Sequence, residues 1–157
     1  AVVREYAATT GLAAIEDPSN EDTGYRRNAI RTEVLPDLER IVPGATAALA
    51  RFAGLAADDD EVLTAIADER YGDAVTHDGE LRRSVVLAAS RAVGRRLVRR
   101  WARSLGCLPA LSAERTDAML ALLADGEPGR RLEIGEGVTV VVTRTGLRLG
   151  EPDDGNQ

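Results

Sequence analysis

Apolar residues recur at helical spacing over most of the chain and switch to strict alternation only near its end. Val93, Leu97, Trp101 and Leu105 predict the inner face of a helix over Arg91 to Leu105, capped by Ser90 and stopped by Gly106. Arg91, Arg95, Arg99 and Arg103 form a second stripe offset by two residues. Two residues are about 200° of helical rotation, so the two stripes lie on opposite sides. Arg96 and Arg100 flank the seam, and Trp101 belongs to the core face. Ser112 predicts the cap of a further helix, Ala113 to Ala124, with Met119, Leu120 and Leu123 inward. After the turn cluster Asp125 to Gly129 the period becomes two: Leu132 and Ile134, then Val138, Val140 and Val142, then Leu147 and Leu149. With turns at Glu136-Gly137 and Thr145-Gly146, this predicts a three-stranded antiparallel meander, followed by a frayed polar tail over 151–157.

The first half is less regular. Val3, Tyr6 and Ala7 read as the end of a helix stopped by Gly11, and Leu12 to Ile15 as a short strand. A helix is expected from near Thr23 to Tyr25 toward Leu35, with Pro36 either kinking it or opening the next. Pro43-Gly44 is a break and the candidate domain boundary. Residues 45–71 read as helical and Ala-rich, with Leu49, Phe52, Ala53 and Ala56 on one face and Leu63, Ile66 and Ala67 on another. The acidic run Asp58 to Glu61 between them is a candidate second helix start, and Tyr71 to Glu80 a loop. Adjacent helical residues do not point at one ion, so this run is not read as a metal site.

Composition narrows the class. With 44% apolar and 29% charged residues in 157, the chain reads as globular. No apolar run approaches 18 residues and no basic-then-apolar leader opens the sequence, so neither a membrane span nor a secretory signal is expected. The single cysteine, Cys107, excludes an internal disulfide and is expected to be buried; His77 is the single histidine. All 20 basic residues are Arg, and the net charge of −6 is unlike that of a generally basic nucleic-acid binder. Its distribution says more: Leu81 to Ala113 holds eight Arg and no acidic residue, which leaves twelve Arg against 26 acidic residues, a net of −14, on the rest.

The most specific segment is Glu16-Asp17-Pro18-Ser19-Asn20, then Arg27-Asn28-x-Ile30-Arg31, then Val34-Leu35-Pro36. Arg27 and Arg31 are four apart and share a helix face; Asn28 neighbours Arg31. Two guanidiniums and a carboxamide near a helix N-terminus can form a fork for phosphate or carboxylate. A purely local role is the other reading, in which Asp17 or Asn20 makes an Asx turn and the Arg pairs with Asp17 or Glu33.

This run resembles the signature that follows the nucleotide-binding core of tRNA(Ile)-lysidine synthetases. Arg4-Glu5-Tyr6 with Gly11-Leu12, the Arg-rich run Arg95 to Trp101 with Gly106, the following Leu-rich helix with Gly126, and the closing Gly146 to Leu149 fit the same family in order, over roughly residues 3–150. The resemblance implies ATP- and Mg2+-dependent adenylation of the wobble cytidine of the isoleucine tRNA with anticodon CAU, and displacement of AMP by free L-lysine. The family's Ser-Gly-Gly-x-Asp-Ser phosphate loop does not occur in the sequence, and the only Met is Met119. The expectation is therefore a C-terminal portion of such an enzyme, inactive alone, with no assignable catalytic residue and no metal ligand.

The implied fold is mainly α (α+β). Residues 1–43 are expected to be the tail of an α/β nucleotide-binding domain, poorly stable without the rest of it, and 45–150 a helical substrate-binding region ending in the meander. Asp17, Asn20, Arg27, Asn28 and Arg31 are implied to line the active-site wall, with Arg27 or Arg31 facing phosphate and Asp17 holding the loop. Arg91, Arg95, Arg96, Arg99, Arg100 and Arg103 are implied to contact tRNA phosphates, with some of them drawn to acidic neighbours such as Asp58 to Glu61. A cytoplasmic location and a homodimer are further expectations. The alternatives are a catalytically silent RNA-binding module, a protein-interaction domain docking an acidic surface, and one half of a split enzyme.

Overall fold

The computed structural model describes residues 6, 9–10, 22–106, 111–135 and 137–150. The readings placed on Gly11 to Asn20, on Cys107 and on the tail 151–157 lie outside these residues. Two compact units divide between Leu55 and Ala56.

In the first unit, the Asp22 carboxylate accepts from the Gly24 N–H at 2.8 Å, an Asx turn ahead of a short helix. Helix α1 (Arg26–Ala29) runs into a π-helical turn over Ile30–Val34 and then into α2 (Leu35–Ile41). Pro36 therefore sits in the first turn of α2, where a missing N–H is tolerated. Its ring would crowd the carbonyl four residues back, and the helix widens over that stretch. Gly44, at φ +87°, supplies the left-handed position that separates α2 from the next helix. The Glu39 carboxylate reaches across this break to accept from the N–H groups of Gly44 (2.6 Å) and Thr46 (3.0 Å). These backbone donors, Thr46 first, hold its pKa below the ordinary carboxylate value.

Helix α3 is one uninterrupted run, Ala45–Ala74. This corrects two expectations. The acidic run does not start a second helix: Asp58 to Glu61 are exposed in mid-helix, with no Gly or Pro cluster to stop the chain. The loop expected from Tyr71 begins only after Ala74, because Tyr71 and Ala74 pack onto the core.

In the second unit, strand β1 (Leu81–Arg82) leads into α4 (Arg83–Ala88), and neither was read from the sequence. Helix α5 (Arg91–Ser104) follows as expected, the Ser90 hydroxyl accepting from the Val93 N–H and Gly106 turning out at φ +74°. Helix α6 (Ala113–Asp125) is capped by Ser112, which accepts from the Arg115 N–H at 3.2 Å. Its inward residues are Met119, Leu122 and Leu123, with Leu120 only partly buried.

Strands β2 (Arg131–Gly135), β3 (Val138–Val142) and β4 (Gly146–Leu149) form the expected antiparallel meander. The sheet nevertheless has four strands, in the order β1-β4-β3-β2, because Leu81 and Arg82 pair antiparallel with Leu147 and Gly146. Ile134, Val140, Val142 and Leu147 point inward and join Leu97, Val98, Trp101, Met119 and Leu123 in one core. Leu149, expected inside, is 43% exposed at the end of its strand. The α+β class expected from the sequence stands, and no described helix is long and apolar enough to cross a membrane.

Candidate functional site

Helix α5 owes its position to its apolar side. Val93, Gly94, Leu97, Val98, Trp101 and Ala102 are all buried. Trp101 is fully enclosed, as expected of a core residue, and its indole N–H donates to the Gly79 carbonyl at 2.8 Å. Six arginines lie elsewhere around the same helix, and the structure sorts them into two groups.

Four are tied to carboxylates. Arg95 makes a forked contact with Asp117 of α6, Nε to Oδ1 at 2.7 Å and a terminal nitrogen to Oδ2 at 2.5 Å, and Arg91 adds a 3.1 Å bond to Oδ2. The Arg95 hydrogen bonds, followed by the charges of Arg95 and Arg91, hold Asp117 below the ordinary carboxylate pKa. The same contact raises the pKa of Arg95. Arg96 pairs with Asp60 of α3, reaches Thr64 Oγ1 at 3.3 Å, and donates to the Ala92 carbonyl at 3.0 Å. Arg100 pairs with Asp68 and lies over the Tyr71 ring, 4.3 Å from its centroid. The expectation that the acidic run would draw in part of the Arg cluster is met at Asp60 alone; Asp68 and Asp117 are the partners the sequence reading missed. The spacing Asp60, Thr64, Asp68 places all three on one face of α3, and was the available signal.

Arg99 and Arg103 form the second group. Both are exposed, and neither makes a hydrogen bond or ion pair among the described residues. Together with Arg95, Arg96 and Arg100 they line one side of an open groove of about 570 Å³. Asp60, Thr64, Ala67 and Asp68 line the other. Five guanidiniums against two carboxylates make the groove electropositive within an acidic protein. Its shape and charge suit a phosphodiester backbone, which needs spaced cations and no apolar slot.

The N-terminal constellation is arranged differently. Asn28 is 8% exposed; its amide donates to the Asp22 carbonyl at 2.9 Å and its oxygen accepts from Arg31 at 3.4 Å. Both ends of the carboxamide are thus engaged within the loop it closes, and Asn28 and Arg31 meet as their spacing implied. Arg27 is exposed and makes no hydrogen bond or ion pair among the described residues. Asp17 and Asn20 lie outside the described residues.

Residues 81–148, from β1 into β4, match the model of the TilS substrate binding domain. The chain is 35% identical to tRNA(Ile)-lysidine synthase of Geobacter sulfurreducens over 91% of its own length and 31% of that protein. It is 38% identical to the synthase of Thermobifida fusca over 78% of its length and 39% of that protein. For the synthase of Salmonella paratyphi A the figures are 36% identity, 63% and 23%. The chain thus spans between about a quarter and two-fifths of the length of these relatives. The match of residues 81–148, which run from β1 to β4 and hold the groove-lining arginines, together with the identity to these synthases, places this chain in the tRNA(Ile)-lysidine synthase family, over the part that carries the substrate-binding domain.

Proposed function

We propose that this chain grips the phosphate backbone of an isoleucine tRNA for a lysidine synthase, with α5 as the contact surface. The observation that carries this reading is the pair of guanidiniums, Arg99 and Arg103, that make no hydrogen bond or ion pair among the described residues and lie on the exposed side of a helix whose other side is core. A helix locked by Trp101 and Leu97 fixes the backbone positions from which both arginines project, so only their side chains remain to be ordered on binding. Phosphate contacts of this kind set register and orientation, and carry no base sequence.

The whole protein, on this reading, uses ATP to adenylate the wobble cytidine of the tRNA with anticodon CAU, and lysine then displaces AMP. The 157 residues contain no Ser-Gly-Gly-x-Asp-Ser loop, and no described cluster of His, Cys, Asp or Glu could hold a metal ion. The described residues do not fit an ATP–Mg2+ site, and they carry no step through one. Arg27 and Arg31 are proposed as phosphate-facing positions beside the segment that would supply it. A cytoplasmic location goes with this reading.

Filter retention of an isoleucine tRNA transcript by the full-length protein, repeated across a salt series, tests the reading. Replacing Arg99 and Arg103 by Ala is expected to weaken binding and to flatten the dependence of log K on log salt by about one per arginine. Unchanged affinity and slope would overturn it.

A further inference from the structure

Arg96 and Arg100 are the two groove arginines that sit closest to being usable and are not free. Each is held by a carboxylate from α3, Arg96 by Asp60 and Arg100 by Asp68. These carboxylates are themselves more than half exposed, at 67% and 56% of their side chains. They line the same groove as Arg99 and Arg103, which have no partner among the described residues. The Arg96 side chain is 24% exposed and that of Arg100 40%; pairs whose carboxylates are this exposed contribute little to stability, so stability alone is a poor explanation for two of them facing into an electropositive groove. A carboxylate and a phosphate present the same two-oxygen edge to a guanidinium, but the phosphodiester of a nucleic acid brings many such charges at once and releases counterions on binding.

We propose that Asp60 and Asp68 are internal stand-ins for phosphate, which hold Arg96 and Arg100 until a strand enters the groove and then give them up to it. Arg99 and Arg103 make the first contact, and the exchange at Arg96 and Arg100 follows only for a polyanion that is seated along the groove. The carboxylates thereby lower the affinity of any polyanion that must displace them, and leave one that touches the outer arginines alone with those two contacts only. Arg95 takes no part, since its forked contact with Asp117 clamps α5 to α6. The inference rests on the tRNA-binding reading above and extends it to how that surface is regulated.

The test is the affinity of the full-length protein for the isoleucine tRNA transcript, with Asp60→Asn and Asp68→Asn combined. Asn keeps the size and removes the charge at two exposed positions, so the fold is retained; Asp73→Asn and Asp125→Asn combined, both exposed and outside the groove, remove the same net charge and serve as the control. Binding is expected to tighten about three- to tenfold, or about 0.7–1.4 kcal/mol, less than two such pairs at their strongest would release. The control should stay within about twofold. The gain should vanish when Arg96→Gln and Arg100→Gln are added. Weaker binding on removing the carboxylates would mean that they orient the arginines, and would overturn the exchange. So would a gain that persists without Arg96 and Arg100. Loss of binding in Arg99→Ala and Arg103→Ala with no gain from the Asn variants overturns the exchange and leaves the tRNA reading standing; no tRNA binding by the unaltered protein overturns both.

Discussion

The indole N–H of Trp101 donates to the carbonyl oxygen of Gly79 at 2.8 Å. This bond links the last turn of the arginine helix to the loop that delivers the chain into β1. Trp101 is fully buried, so its removal acts on the core and on the loop together. Trp101→Phe leaves the ring's bulk largely in place and the Gly79 carbonyl without its donor, which is expected to cost about 1–3 kcal/mol. Trp101→Ala adds a cavity and is expected to cost about 3–5 kcal/mol. Urea unfolding followed by circular dichroism measures both, and equal losses in the two variants would show that the hydrogen bond rather than the packing dominates.

Gly146 has no room for a side chain. A Cβ placed there would lie 1.8 Å from the Leu81 carbonyl oxygen and 2.8 Å from its carbon, both backbone atoms of the paired strand. Backbone on both sides cannot shift as a flexible side chain would. Gly146→Ala is therefore expected to push β1 away from β4 and to cost at least the roughly 1–3 kcal/mol typical of overpacking. Hydrogen exchange reads the site of damage: the Arg83 N–H, which donates to the Thr145 carbonyl at 2.8 Å, should lose protection before the β2–β3 pairs do. Intact protection at Arg83 would contradict the expectation.

Acid should loosen α5 from α6. Asp117 has a pKa below its ordinary value in the folded chain, chiefly through the Arg95 hydrogen bonds. Its contribution to stability is thus fully present above the unfolded-state pKa and is lost as pH falls through the lower, folded-state pKa. The urea midpoint of the unaltered protein is expected to drop below about pH 4, the region where Asp titrates. In Asp117→Asn that part of the drop should be missing, because the group no longer titrates. An identical acid profile in the two proteins would show that Asp117 is not coupled to folding.

Helix α5 was legible because three independent signals coincide there: an apolar stripe of period near 3.6, Ser90 ahead of it and Gly106 behind it. The meander was legible for the same reason, with alternation bounded by turn residues. Strand β1 was not, since a strand of two residues has no period to read; Leu81 and Arg82 are extended because β4 lies beside them, more than sixty positions along the chain. The short helix α4 failed similarly, as Arg83 to Ala88 carry too few residues to show a face. At the groove, the sequence showed which residues are cations and that some would meet acidic partners. Which arginine finds Asp60, Asp68 or Asp117 depends on how α3 and α6 lie against α5, and no local pattern encodes that. Asn28 and Arg31 were readable as neighbours because only one helical turn separates them.

The pairing of β1 with β4 has a consequence for how the two ends of the matched segment depend on each other. That segment begins at Leu81 and closes just past Leu147, and these two residues face each other across one ladder. Its entrance and exit are the same doorway. The doorway is held from outside as well, since Ala67, Tyr71 and Ala74 of α3 pack onto the same core, so whatever disturbs the end of α3 disturbs the start and the finish of the segment at once.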